Sequence, residues 1–420
     1  MKDRVILRPL ISEASTAQFG DVPGVGKKLL AGVLSAWVLL APAHAADVEL
    51  LPSPAAENSS LSRVVSDESG NLYLSWVTQA EGSAGLYYST LKETRWKKPQ
   101  LVRRGEDWFI NWADFPVLSV SAENKAAHWL RMSAEGTYDY DIDARFYDAR
   151  TDSWSDTITP HKDGVSAEHG FVSMLPVGNG NTLMSWLDGR NTKTEAGYGE
   201  MTLRAGIFSA RGETLSEWEL DARVCDCCQT SAAMSAAGPI IVYRDRSAEE
   251  IRDIYVTRYV NDDWTPPVAI HDDQWEISGC PVNGPSVAAQ GNFAAVGWFT
   301  AKDDSPKVQL ALSTDSGEHF SAPILVSGPD TIGRIDTAIL ANGQVAVSWL
   351  DTKDETAELT VSRFSAGGSL IDTTVVAGMS ASRRSGFPII EAIGDDLFVT
   401  WTDISEGPEV RVARIDFASP

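Results

Sequence analysis

Short, largely apolar runs recur along the chain, separated by polar turns, and seven of them end alike. Residues 71–76, 125–129, 181–186, 239–243, 293–298, 344–349 and 396–401 close on Trp76, Trp129, Trp186, Tyr243, Trp298, Trp349 and Trp401, with successive aromatics 51–57 residues apart. An even period of this size, built from short strands, predicts propeller blades of four strands each. In each unit an innermost strand A, such as residues 115–120 or 285–289, precedes the aromatic-ended strand B. Strand C follows, at 86–89, 144–147, 205–208, 254–257, 308–311, 359–362 and 410–413. Strand D is outermost, and Pro99 and Pro323 suit such an edge because proline cannot donate to a ladder. Aromatics that recur at one strand position read as packing between blades rather than as sugar-stacking platforms.

The last unit has strands A, B and C and then runs out at Pro420. Residues 47–51, ahead of the first strand A near 61–65, can supply the missing outer strand. That join closes the ring and removes two open edges. The expectation is therefore an all-β, seven-bladed propeller over residues 46–420, with a six-bladed ring as the alternative.

Composition narrows the setting. The chain of 420 residues is 43% hydrophobic and carries a net charge of −23. Nucleic-acid binding relies on clustered Lys and Arg, so such a balance argues against a polyanion partner. Residues 1–45 read as a lead plus a cleaved signal segment. Lys27 and Lys28 precede the apolar run 29–41, and Ala43-His44-Ala45 offers small residues for cleavage. An exported protein, periplasmic or secreted, with no membrane span is expected; an uncleaved anchor is the alternative. Oligomeric state is not legible.

The segment Ser313-Thr-Asp315-Ser-Gly317-Glu-His-Phe320 fits the Asp-box, and 147–154 and 261–264 are worn versions of it. With the aromatic-ended strands, the chain resembles the sialidase/BNR-repeat propeller superfamily over residues 47–420. The resemblance implies that Asp315 is a structural turn residue on the face away from the active site. It also implies an exo-glycosidase of sialidase type acting on acidic sugars. The chain departs from that pattern in its seven units and in lacking an Arg-Ile-Pro signature. The family's three arginines, Tyr–Glu pair and Asp acid cannot be placed one by one.

Propeller geometry puts the loops leading into strand A and the loops from B to C on one top face. Those loops offer Asp114, Asp188, Asp245 and Asp253 as candidate catalytic carboxylates, since glycoside cleavage needs an acid and a nucleophile or base. Arg190, Arg244, Arg246, Arg334 and Arg384 are candidate anion anchors, with His169 and Asn283 as further ligand contacts. His161 and His271 read as surface residues and His128 as a core or interblade residue. The carboxylates in Trp186-x-Asp188, Tyr243-x-Asp245, Trp349-x-Asp351 and Trp401-x-Asp403 also read as turn caps.

All four cysteines, Cys225, Cys227, Cys228 and Cys280, fall at the same point of two successive units. Two disulfides are expected in an oxidising compartment, with pairings that join Cys280 to the triplet. The alternatives are a copper or zinc site of soft ligands, with His169 nearby, or a reactive free thiol. Two functions follow: a glycosidase for carbohydrate or another anionic small ligand, or a non-catalytic binding or assembly module.

Overall fold

The computed structural model describes residues 47–417, apart from 123, 196 and 355. The expected lead and signal segment, 1–45, lies outside the described residues.

Strand B explains the architecture. In blade 6, residues 345–350 of Val345–Lys353 are all buried, one after another, instead of alternating in and out. A strand reads so when both of its faces are covered. The cover comes from the neighbouring blades, because each sheet stands face to face with the next. The seven closing aromatics are all buried, from Trp186 and Tyr243 at 0% exposed to Trp401 at 4%, as interblade packing requires.

Seven blade sheets result, each an antiparallel meander, beside a two-stranded ribbon of Lys193–Thr194 and Gly197–Tyr198. Their innermost strands are Ser59–Ser66, Leu118–Val120, His169–Pro176, Ser231–Ser235, Ser286–Gln290, Thr331–Ile339 and Ile389–Ile393. Each touches the next around the ring, and the last touches the first. The apolar core is accordingly split into clusters between blades. The ring is seven-bladed, not six-bladed.

Closure follows the expected route. Asp47–Leu51 pairs antiparallel with Glu409–Asp416, with Asp47 opposite Asp416 and Leu51 opposite Val412. The join is reinforced where blade 1 meets blade 7. The Val410 amide donates to Ser59 Oγ at 3.0 Å, and Thr400 Oγ1 donates to Ser62 Oγ at 2.9 Å.

Local details differ from the sequence reading. Pro99 and Pro323 stand one residue ahead of the outer strands Gln100–Gly105 and Ile324–Ser327, not inside them. At the Asp315 turn, Ser313 Oγ and the amides of Glu318 and His319 all donate to Asp315 Oδ1. The neighbouring Ser316 bonds Asn292, in the turn between strands A and B. The carboxylate is thus spent on local backbone, at the end of the ring opposite the B-to-C loops. Among the described residues no helix is long and apolar enough to cross a membrane.

Candidate functional site

Three innermost strands begin with a bulge, between Ser60 and Arg63, Gly170 and Ser173, and Gly333 and Asp336. Leu61, Phe171 and Arg334 there adopt φ of 55°, 53° and 54°. A left-handed non-glycine residue costs about 1–3 kcal/mol, so something must hold it. In two cases the holder is a side chain of the preceding blade. Asp114 Oδ1 accepts the Phe171 amide at 2.8 Å, and Asn283 Oδ1 accepts the Arg334 amide at 2.7 Å. The approach needs bare backbone beside it. A Cβ on Gly170 would lie 1.9 Å from Asp114 Oδ2, and one on Gly333 would lie 2.4 Å from Asn283 Oδ1. Gln229 adds a longer tie: its Nε2 donates to Ala113 O at 2.6 Å and its Oε1 accepts the Gly284 amide at 3.0 Å. Behind these ties lies a cavity of about 90 Å³, lined in part by Arg63, Asp114, Phe171 and Gln229.

Asp114 also belongs to a proton-sharing group. The Tyr140 hydroxyl lies 2.7 Å from Asp114 Oδ2 and 3.0 Å from Glu168 Oε1. Its ring is held flat on Phe109, centroids 4.0 Å apart. A phenol has one proton, so it can donate to only one carboxyl. The other must itself be protonated and donate to the phenol oxygen. Burial raises the Asp114 pKa to about 7, against the bonds from Tyr140 and Phe171. Burial, and then the charge of Asp114, raises Glu168 to about 8. Both carboxyls are thus pushed towards the protonated form by burial, Glu168 further by the charge of Asp114. Glu168 is half-buried, whereas Asp114 and Tyr140 are enclosed.

A second buried cluster surrounds His169. Its Nδ1 faces Ala167 O at 3.2 Å, and its Nε2 lies 3.3 Å from Asp163 Oδ2 and 3.6 Å from Asp188 Oδ1. Both nitrogens face acceptors, which favours the charged imidazolium, although neither carboxylate meets Nε2 in hydrogen-bond geometry. Burial opposes that charge, but the two carboxylates outweigh it and raise the pKa to about 9. His161 stacks on it, centroids 3.8 Å apart. His161 Nε2 accepts the Ile142 amide and its Nδ1 faces Asp163, which fixes a neutral tautomer. The surface position expected for His161 is thus corrected: it is buried, because it fills the space between His169 and strand C of blade 2.

This cluster sets a pH dependence. The His169 pKa is raised above its unfolded value of about 6.5. Its contribution is therefore complete below that pH and lost as pH rises through about 9. Asp163 and Asp188 are depressed despite burial, so their contributions are lost only in acid. Wild-type protein should lose on the order of 2 kcal/mol between pH 6.5 and 9.5, and His169→Gln should be flatter over that window. Urea denaturation at stepped pH checks this; parallel profiles would refute it.

The arginines are mostly turned to protein atoms. Arg244, 2% exposed, donates to Arg252 O at 2.6 Å, Asn283 O at 2.9 Å and Phe299 O at 2.7 Å. Its guanidinium thus ties three backbone carbonyls together inside the protein. Arg334 donates to Ser382 O, Ser385 Oγ and Gly386 O, and lies 5.0 Å over Trp112. Arg190 forks onto Asp188, and Arg246 onto Glu250. Arg384 is exposed at the rim. Asp253 caps the amides of Gln274 and Trp275, which fits a turn role. Asp245 is half-buried, and burial and then the Asp221 charge raise it to about 7.

Cys227 and Cys280 form a disulfide between blades 4 and 5. Cys225 and Cys228 are buried thiols, Sγ atoms 3.2 Å apart, where a second bridge was expected. The sulfurs of Cys225, Cys227 and Cys280 lie within 4.8 Å of one another, close enough to share a soft metal ion.

Sequence reasoning singled out Asp114 but did not join it to Glu168. It missed Tyr140, which joins them, and Asp163, which joins the two histidines.

No known family's sequence profile matches the chain, and no curated protein matches it. Solved structures do resemble it. A Mycobacterium tuberculosis puromycin-hydrolyzing peptidase is 10% identical with a TM-score of 0.52, over 88% of this chain and 54% of that one. The Penicillium chrysogenum α-L-arabinanase is 14% identical, TM-score 0.44, over 89% and 98%. The phage phi92 endosialidase is 8% identical, TM-score 0.49, over 89% and 70%. At such identities the likeness is one of fold, and the fold is a propeller.

Proposed function

We propose that this chain is an exported, sugar-acting propeller of glycosidase type, with Glu168 as its general acid. The observation that carries the reading is the single phenol proton shared between two carboxyls. On this reading the more accessible Glu168 holds the proton and the enclosed Asp114 the charge. Glycoside cleavage asks for such a split pair, one acid and one carboxylate. Glu168, raised to about 8, gives its proton to the departing oxygen. Water adds at the anomeric carbon as the glycosidic bond breaks, and the proton it releases returns to Glu168.

The acidic-sugar preference read from the arginines has less to stand on. Arg190, Arg244, Arg246 and Arg334 are engaged, which leaves Arg384, with Arg383 beside it over Trp112, as the contact for an anionic group. The substrate class is therefore a hydroxyl-rich glycoside, with an acidic sugar as the narrower case.

A panel of chromogenic glycosides that includes sialosides tests this on purified protein. Turnover is expected on at least one, with a loss of about 10²–10⁴-fold in Glu168→Gln. No turnover on any of them would sink the reading. It would leave a non-catalytic binding or assembly module, which the central cavity of about 90 Å³ and the inward-turned arginines favour.

A further inference from the structure

The cysteines form a chain of sulfurs that the glycosidase reading does not use. Cys228 Sγ lies 3.2 Å from Cys225 Sγ. The sulfurs of Cys225, Cys227 and Cys280 lie within 4.8 Å of one another. Exposure is graded along the chain: Cys225 and Cys228 are each 1% exposed, Cys227 is half-buried and Cys280 is exposed. Cys225-Asp226-Cys227-Cys228 is also a C-x-x-C sequence, the spacing of redox dithiols. Arg252 Nη1 donates to Cys225 Sγ at 3.3 Å, so a cation already faces the sulfur that would carry negative charge.

We propose that the four cysteines form a thiol–disulfide relay, in which the buried Cys225/Cys228 pair exchanges with the Cys227–Cys280 disulfide.

In the first step the Cys225 thiolate attacks Cys227 Sγ. The Cys225–Cys227 bond forms, the Cys227–Cys280 bond breaks, and Cys280 leaves as a thiolate that takes up the proton Cys225 lost. In the second step Cys228 gives up its proton and attacks Cys225 Sγ. The Cys225–Cys228 bond forms, the Cys225–Cys227 bond breaks, and Cys227 leaves and is protonated. One disulfide and two thiols stand on each side, so no outside oxidant or reductant is needed. The product presents Cys227 and Cys280 as a dithiol at the surface. That dithiol can reduce a disulfide of a protein or small molecule, releasing two thiols and reclosing Cys227–Cys280.

Electrostatics favour the attacking role of Cys225. Burial acts to raise its pKa, but contact with the Cys228 thiol, a backbone amide and the charges of Arg244 and Arg252 bring it down to about 6. Cys228, buried beside that negative charge, is pushed well above the usual thiol value. The thiolate, not the thiol, is the nucleophile.

The test brings purified wild-type protein to two thiols per chain, and each three-cysteine variant to one, with limiting dithiothreitol. Acid quenching, alkylation and disulfide mapping by mass spectrometry follow. In wild-type protein both the 227–280 and the 225–228 bridges are expected. Cys228→Ser cannot complete the second step, so it should accumulate a Cys225–Cys227 bridge with Cys280 alkylated. Cys225→Ser cannot start and should keep Cys227–Cys280. Alkylation at Cys280 should be at least about tenfold higher in Cys228→Ser than in Cys225→Ser. Near-UV circular dichroism selects folded variants. A wild type holding only the 227–280 bridge, or a folded Cys228→Ser holding only that bridge, overturns the relay.

Discussion

Arg244→Met should lower the unfolding free energy by about 3–5 kcal/mol, the range seen when one partner of a buried charged network is removed. The arginine is enclosed, and its donors meet the carbonyls of Arg252, Asn283 and Phe299, which belong to three different segments. Its guanidinium also lies 5.1 Å over Trp275. Methionine fills much of the volume but leaves three buried acceptors without a donor, and each orphan costs about 1–3 kcal/mol. Arg244→Lys should fare little better, because an ammonium cannot span a planar fork of acceptors. Arg246→Met provides the contrast. Its partner Glu250 is 27% exposed and its own side chain 20%, so a loss of about 1 kcal/mol or less is expected. Urea denaturation of the three variants decides the matter. Equal losses at the two positions would remove Arg244 from its structural role.

Gly170→Ala should cost about 3 kcal/mol, the upper part of the usual range for an overfilled site. The added carbon would lie 1.9 Å from Asp114 Oδ2 and 2.9 Å from Tyr140 Cε2. Asp114 cannot retreat, because its other oxygen holds the left-handed Phe171 amide. The same methyl separates Asp114 from the Tyr140 hydroxyl and so breaks the shared proton. Gly378→Ala, where nothing lies within 4 Å, should leave stability within about 0.5 kcal/mol of wild type. Thermal midpoints of the two variants measure this. A Gly170→Ala protein as stable as Gly378→Ala would mean that the tie between blades 2 and 3 carries no strain.

These contrasts mark what a sequence can reveal. The ring was legible because it is periodic: seven aromatics recur at one strand position, and residues 47–51 supply what the last unit lacks. The pairing of Cys280 with the triplet was legible for the same reason, since both lie ahead of a strand A. The site was less so. Nothing in Thr137-Tyr138-Asp139-Tyr140 separates the buried Tyr140 from the exposed Tyr138 beside it. Left-handed backbone at Phe171 and Arg334 carries no signal in residue type, so the use of Asp114 and Asn283 to hold it was invisible. Arginine in an acidic chain reads as a ligand contact or as a salt bridge. Arg244 does neither, because it binds carbonyls, and carbonyls leave no mark in a sequence.

The join between Asp47–Leu51 and Glu409–Asp416 makes closure of the ring depend on residues from both ends of the described chain. The first strand of the described chain waits for almost the last one before it has a partner. A product cut short at its carboxyl end leaves residues 47–51 dangling and exposes raw sheet edges on both sides of the gap. Such edges invite proteolysis or strand exchange with another copy.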